Sequence, residues 1–80
     1  MPRDIPALLK LRQLLKLLER AGCSLYREGK GDHRLYVRVV GDRKRVVPID
    51  MGVGEFSPPL VLRILRQFSC TDREIEDLFR

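Results

Sequence analysis

His33-Arg34-Leu35-Tyr36-Val37-Arg38-Val39-Val40, followed by Gly41-Asp42-Arg43 and then Lys44-Arg45-Val46-Val47-Pro48-Ile49, is the stretch that decides the fold. Leu35, Val37 and Val39 alternate with Arg34, Tyr36 and Arg38, the period of a half-buried antiparallel strand. Gly41-Asp42-Arg43 reads as a turn into a further strand over residues 44–49. Pro48 lacks an amide donor and suits a strand end or an edge. On the other side, residues 24–28 read as a short strand that enters through the turn Gly29-Lys30-Gly31-Asp32. Three antiparallel strands joined by tight turns are therefore expected at the centre of the chain.

Helical periodicity brackets this centre. Over residues 6–21, Ala7, Leu8, Leu11, Leu14, Leu15, Leu17, Leu18 and Ala21 cover one half of a helical wheel. Arg12, Gln13, Lys16, Glu19 and Arg20 cover the other half, with Leu9 stranded among them. Gly22 follows as a left-handed cap. Residues 50–56 read as a loop. Ser57-Pro58 is an N-cap with proline in the first turn, and Val61, Ile64, Leu65 and Phe68 then recur on one face. Thr71-Asp72-Arg73-Glu74 has the capping-box pattern and opens a last short helix with Ile75, Leu78 and Phe79 as its stripe. The expectation is an α+β fold in the order helix, three strands, helix, short helix, forming a single domain over residues 1–80.

Composition narrows the function. The chain has 16 Lys+Arg against 11 Asp+Glu, and the imbalance is one-sided. Residues 1–45 carry 12 basic and 5 acidic residues, whereas residues 46–80 carry 4 and 6. A basic first half is the electrostatic footprint of a phosphate-backbone binder. Cys23 and Cys70 lie in apolar neighbourhoods and read as small core residues of a reducing compartment, not as a disulfide scaffold. Without neighbouring histidines they give no zinc spacing, so neither a metal nor a cofactor is expected. The leucines near the start are broken by Lys10, Arg12, Gln13 and Lys16, which argues against a secretory signal. Nothing approaches the roughly 20 apolar residues of a membrane span. A cytoplasmic protein with no membrane partner is expected.

His33 is the only histidine, and it follows a glycine-rich basic turn. Histidine is the side chain whose unperturbed pKa allows proton exchange near neutrality. A lone proton-shuttling group inside a polyanion-attracting segment points to RNA cleavage. The bland alternative is an ordinary residue at a strand start. Parity puts His33 on the face of Leu35 and Val37, expected to be the rim of the helix-covered side, where the first helix and its cations would help form the site. Tyr26, Tyr36, Arg34 and Arg38 would then occupy the other face, either as aromatic and basic RNA contacts or, for the tyrosines, as cross-strand packing pairs. Arg43-Lys44-Arg45 reads as a source of non-specific phosphate contacts or as a solvated turn.

In this order and spacing the pieces resemble the HicA-type (YcfA-like) toxins of toxin–antitoxin pairs. Leu14-Leu15-Lys16-Leu17-Leu18-Glu19-Arg20-Ala21-Gly22 resembles the first helix of that family and its terminating glycine. Gly31-Asp32-His33, preceded by Lys30, falls where the family usually has Gly-Ser-His after a basic residue. Val46-Val47-Pro48 resembles the third strand, and Ser57 to Gln67 the second helix. The resemblance covers most of the chain. It implies a fold like the double-stranded RNA-binding domain, with helices on one face of a three-stranded antiparallel sheet. It also implies an mRNA-cleaving toxin whose active residue is the histidine, neutralised by a HicB-type antitoxin that covers the His33 surface. Asp32 departs from the usual serine, and a carboxylate there repels phosphate.

Metal-independent RNA cleavage requires deprotonation of the 2′-hydroxyl, stabilisation of the phosphorane charge and protonation of the leaving 5′-oxygen. His33 is the candidate general acid or base, a role typically worth ~10²–10⁴ in rate. The expected RNA-binding set is Arg27, Lys30, Gly31, Arg34, Arg38, Lys44 and Arg45, with Gly29 and Gly31 allowing close approach of backbone amides. No second acid–base group is evident, so a slow ribonuclease is expected. The competing functions are a non-catalytic double-stranded-RNA-binding module, indifferent to loss of His33, and a protein-interaction subunit that uses an edge strand or the acidic last helix.

Overall fold

The computed structural model describes residues 8–80. Its elements are β1 (Leu9–Lys10), α1 (Leu11–Arg20), β2 (Ser24–Glu28), β3 (His33–Val40), β4 (Arg43–Asp50), β5 (Glu55–Phe56), α2 (Pro58–Gln67) and α3 (Asp72–Leu78). Strands β2, β3 and β4 form an antiparallel sheet in that order, and β1 pairs with β5 in a second, two-stranded one. The α-β-β-β-α order and the short last helix are as the sequence predicts.

Two boundaries differ for a physical reason. The first helix begins at Leu11 rather than at residue 6; residues 6 and 7, and with them Ala7, lie outside the described residues. Leu9, which does not fit the helical wheel, is not helical. It sits in β1 directly opposite Phe56, and both side chains are buried. The Leu11 N–H donates to Gly54 O, and the Lys10 N–H to Gln13 Oε1, so the helix starts at the end of this two-residue ladder. The segment 50–56, expected to be a loop, supplies both the last residue of β4 and all of β5.

Hairpin chemistry fixes the sheet register. Gly41, at φ 63°, and Asp42 form a two-residue turn between the paired Val40 and Arg43. Glycine with positive φ at the first turn position matches the twist of the flanking strands. Every later pair follows without a slip, through Tyr36 opposite Val47 to His33 opposite Asp50. Val47 and Ile49 are buried, and their partners Tyr36 and Arg34 therefore share the face toward the helices. Tyr36 packs on the core, whereas Val39 on the alternate face is 65% exposed. The sequence-based assignment of faces is thus reversed. Leu35 and Val37 line the open face of the sheet, and Tyr36 and Arg38 lie beneath the helices.

The core lies between the helix-side face of the sheet and α1, α2 and α3. Leu14, Leu18, Val61, Leu65, Phe68 and Ile75 are fully buried there. Arg38 enters the same layer from β3. Both α1 and α2 end in Schellman motifs. Cys23 N–H donates to Leu18 O and Gly22 N–H to Glu19 O, and Cys70 N–H donates to Leu65 O and Ser69 N–H to Arg66 O. Arg38 Nε donates to Ala21 O (2.9 Å) and Nη1 to Phe68 O (3.0 Å), so one guanidinium satisfies the cap carbonyls of both helices. Its third arm, Nη2, pairs with a carboxylate oxygen of Glu74 in the capping box of α3. A cation at two helix C-termini also meets the negative ends of their dipoles.

Two consequences can be measured. Ser69 is the one non-glycine residue with positive φ among the described residues, at 63°, and it occupies the position where α1 has Gly22. Ser69→Gly should relieve that strain, adding roughly 0.5–1 kcal/mol and raising Tm by about 4–8 °C per kcal/mol. Glu74 is held below the ordinary glutamate range by the Thr71 N–H and then by Arg38. Its ionised form therefore stabilises the fold above the unfolded-state pKa, and this contribution is lost as pH falls through the folded value. Glu74→Gln should lower Tm at neutral pH, with the gap to wild type closing on acidification, as followed by circular dichroism.

Candidate active site

The turn before β3 is built around one close approach. Gly29 N–H donates to His33 O (2.9 Å), and His33 N–H donates to Lys30 O (3.2 Å). A Cβ at position 29 would lie 2.8 Å from His33 O, so only glycine lets the chain pass. Gly31 takes φ 63°, which closes the loop. On the other side of β3, Met51 N–H donates to Asp32 O (2.7 Å). The backbone at His33 is thus held from both neighbouring strands.

His33 is exposed and points to the open face of the sheet, not to the rim of the helix-covered side. Helix α1 lies across the sheet from it, so the cations of α1 do not contribute to this site. Directly opposite on β4, and on the same face, stands Asp50. One oxygen of its carboxylate accepts the Gly52 N–H (2.8 Å). Asp32 brings its own carboxylate within 3.2 Å of where a Gly52 Cβ would be, so the two acids converge on that glycine.

A bulge in β2 aims a cation at the same face. Leu25 pairs with Tyr36, but the next pair is Arg27 with Leu35, which leaves Tyr26 as the extra residue. Simple alternation would have turned Arg27 toward the helices; the bulge places it diagonally from His33. Lys30 and Gly31 sit in the exposed turn that His33 closes. Arg27, Lys30, Gly31 and His33 are therefore brought together.

The remaining expected contacts go elsewhere. Arg34 faces away from His33 and pairs with Glu28 at 3.3 Å. Arg38 is a structural clamp: its side chain is only 11% exposed and its three donor groups are committed, which removes it from the RNA-facing set. Lys44 shares the open face but stands about 20 Å from Asp50 along β4, six residues at ~3.4 Å each. It donates to Tyr26 Oη (2.8 Å) and lies over the tyrosine ring. This hydrogen bond, together with the lysine charge, lowers the Tyr26 pKa from its ordinary value. Arg45 pairs with Arg38 in the ladder and lies near the end of α2. Among the described residues no cluster of His, Cys, Asp or Glu is arranged to hold a metal ion.

The family model of the HicA toxin of bacterial toxin–antitoxin systems matches residues 11–69. The chain belongs to the HicA toxin family. The HicA match spans α1 through α2 and includes the whole His33 turn, whereas β1 and α3 lie outside it. As a HicA-family toxin, the protein has an antitoxin as its expected kind of partner. No curated protein and no solved structure matches the chain. No helix among the described residues is long and apolar enough to cross a membrane.

Asp50 is the neighbour of His33 that the sequence reading missed, although its signal was present. A two-residue turn at Gly41-Asp42 makes each pair's numbers sum as Val40 and Arg43 do, and that count carries His33 to Asp50. Gly29→Ala should cost about 1–3 kcal/mol through overpacking against His33 O and shift the amide resonances of residues 29–33. Gly54→Ala, where a Cβ would meet nothing within 4 Å, should leave both Tm and spectrum nearly unchanged.

Proposed function

We propose that this HicA-family toxin is a metal-independent endoribonuclease that cleaves mRNA, with His33 as its general acid or base. Three observations support the reading: the family itself, the single histidine fixed on an open basic sheet face, and the cations beside it. The 2′-hydroxyl attacks its neighbouring phosphate, so the reaction needs two proton transfers and stabilisation of charge rather than an external nucleophile. His33 performs one transfer. Asp50, across the ladder, is the second acid–base group, with one oxygen already anchored by Gly52 N–H.

Arg27 and Lys30 hold the scissile phosphate, and the Gly31 backbone allows it to approach. Lys44, farther along β4 on the same face, contacts a phosphate several nucleotides away without reading sequence, whereas Arg45 shares the helix side of the ladder with Arg38 and reaches RNA only around the sheet edge. Arg34, already paired with Glu28 on the opposite face, contributes little. The carboxylate of Asp32 opposes phosphate binding and slows the enzyme. A HicB-type antitoxin neutralises the toxin by covering the His33 surface, and both act in the cytoplasm, where mRNA is translated.

One observation favours a second reading: Asp32 beside the only histidine keeps a phosphate away from the imidazole, which suits a module that binds RNA elsewhere on its basic surface without cutting it. Wild type and His33→Ala, purified identically, separate the two on single-stranded RNA in excess EDTA. Wild type should cleave and His33→Ala should be slower by ~10²–10⁴, with Asp50→Asn intermediate. Equal cutting by His33→Ala would overturn the assignment of His33, and cleavage that appears only when Mg²⁺ is restored would overturn metal independence. Salt-sensitive binding without cleavage by either protein would leave the RNA-binding module.

A further inference from the structure

The sheet ends in two unequal edges. Strand β2 is five residues long and carries the bulge at Tyr26, a device that discourages further pairing. Strand β4 has eight residues and no bulge, and among the described residues nothing pairs with its outer side. The direction of its backbone groups follows from β3. His33 O accepts from Gly29 on the β2 side, and Asp32 O accepts from Met51 on the β4 side. By alternation Arg34, Tyr36, Arg38 and Val40 bond toward β4, using Ile49, Val47, Arg45 and Arg43 as partners. The N–H and C=O groups of Lys44 and Val46 therefore point outward, with those of Asp50 and the C=O of Pro48.

Pro48 has no N–H, so it offers only an acceptor at its step. Lys44 to Pro48 retains two donors and three acceptors in the alternating register of a strand. A groove of about 550 Å³ runs alongside, lined by Lys44, Arg45, Val46 and Pro48 from β4 and by Arg66 and Gln67 from the end of α2. Its charge is positive: Lys44, Arg45 and Arg66 line it. Arg45 has no carboxylate partner among the described residues, whereas the Lys44 ammonium donates to Tyr26 and Arg66 pairs with Asp72 at 3.3 Å. Val46 adds an apolar side chain that is 39% exposed.

We propose that the outer edge of β4, from Lys44 to Pro48, is a docking site for an extended acidic polypeptide, which adds to the sheet as a fourth strand. Main-chain hydrogen bonds at Lys44 and Val46 supply the register, and carboxylates of the added strand face Arg45, with Lys44 and Arg66 exchanging their contacts to Tyr26 and Asp72 for the new acids. A nucleic acid would satisfy the cations but not the alternating donors and acceptors. The site is separate from His33 and does not depend on cleavage.

A capped, fluorescein-labelled octapeptide of alternating Glu and Val is the probe, read by anisotropy and by amide hydrogen exchange of the toxin. Saturating peptide should protect the Lys44 and Val46 amides selectively. The same peptide N-methylated at alternate residues should bind wild type about tenfold or more weakly, because it lacks the donors the edge requires. Val46→Pro removes an amide that points outward, so it should weaken binding comparably while the circular dichroism stays native, and Lys44→Glu with Arg45→Glu should do the same through charge. Equal binding of the methylated and unmethylated peptides would overturn strand addition, with or without a folded Val46→Pro. Protection of Lys44 and Val46 by a single-stranded RNA oligonucleotide but not by the peptide would reassign the groove to phosphate.

Discussion

One guanidinium ties this small fold together. Arg38 rises from the central strand, donates to the last carbonyls of α1 and α2, and pairs with the carboxylate that caps α3. Each of the three helices is thereby fixed to the sheet through a single side chain. A buried cation is costly unless its donors are satisfied, and here two carbonyls and one carboxylate meet them. Arginine suits this place because its donors fan out in one plane toward three separate acceptors; a lysine ammonium could not reach all three. For a chain of 80 residues with a limited core, that polar junction complements the packing of Leu14, Leu18, Leu65 and Phe68.

The clamp also divides the sheet into a face committed to the helices and an open face. Tyr36 and Arg38 are spent on the helices, while His33, Arg27, Lys44 and the apolar Leu35, Val37 and Val39 lie on the other side. Side chains on the open face bear little of the core. The geometry that does matter there belongs to the backbone: the Gly29 approach, the Gly31 conformation and the two bonds that flank His33. Residue identity at the site and stability of the fold are thus set largely by different atoms.

The three strands of the central sheet, the starts of α2 and α3 and the helix caps were legible in the sequence because each had a local signal, whereas the start of α1 and the β1–β5 pair were not. Ser57-Pro58, the Thr71–Glu74 box, Gly22 and the period-two run from His33 all appear in the structure. The face of the sheet was not legible, since β3 is amphipathic in the wrong sense. Leu35, Val37 and Val39 face outward while its tyrosine and arginines face the helices, because the burial is decided by Val47 and Ile49 on the neighbouring strand. Leu9 failed as a helical residue for a tertiary reason, its pairing with Phe56 across 47 positions of sequence. Arg27 joined the site through a bulge that no residue type announces. Asp50 is within reach of counting from the Gly41-Asp42 turn, because a two-residue turn fixes every later pair of the ladder.

The twin helix ends carry a further consequence through their thiols. Cys23 and Cys70 occupy equivalent positions, each the second residue past a helix cap, and both are buried. Burial pushes the Cys23 thiol up to about 11 and raises that of Cys70, although Arg38 acts in the opposite direction. At neutral pH both are protonated and shielded, and thus poor nucleophiles. They become reactive only when a helix end lifts from the sheet. Alkylation of these two sulfurs is therefore a built-in clock for opening of the junction that Arg38 holds.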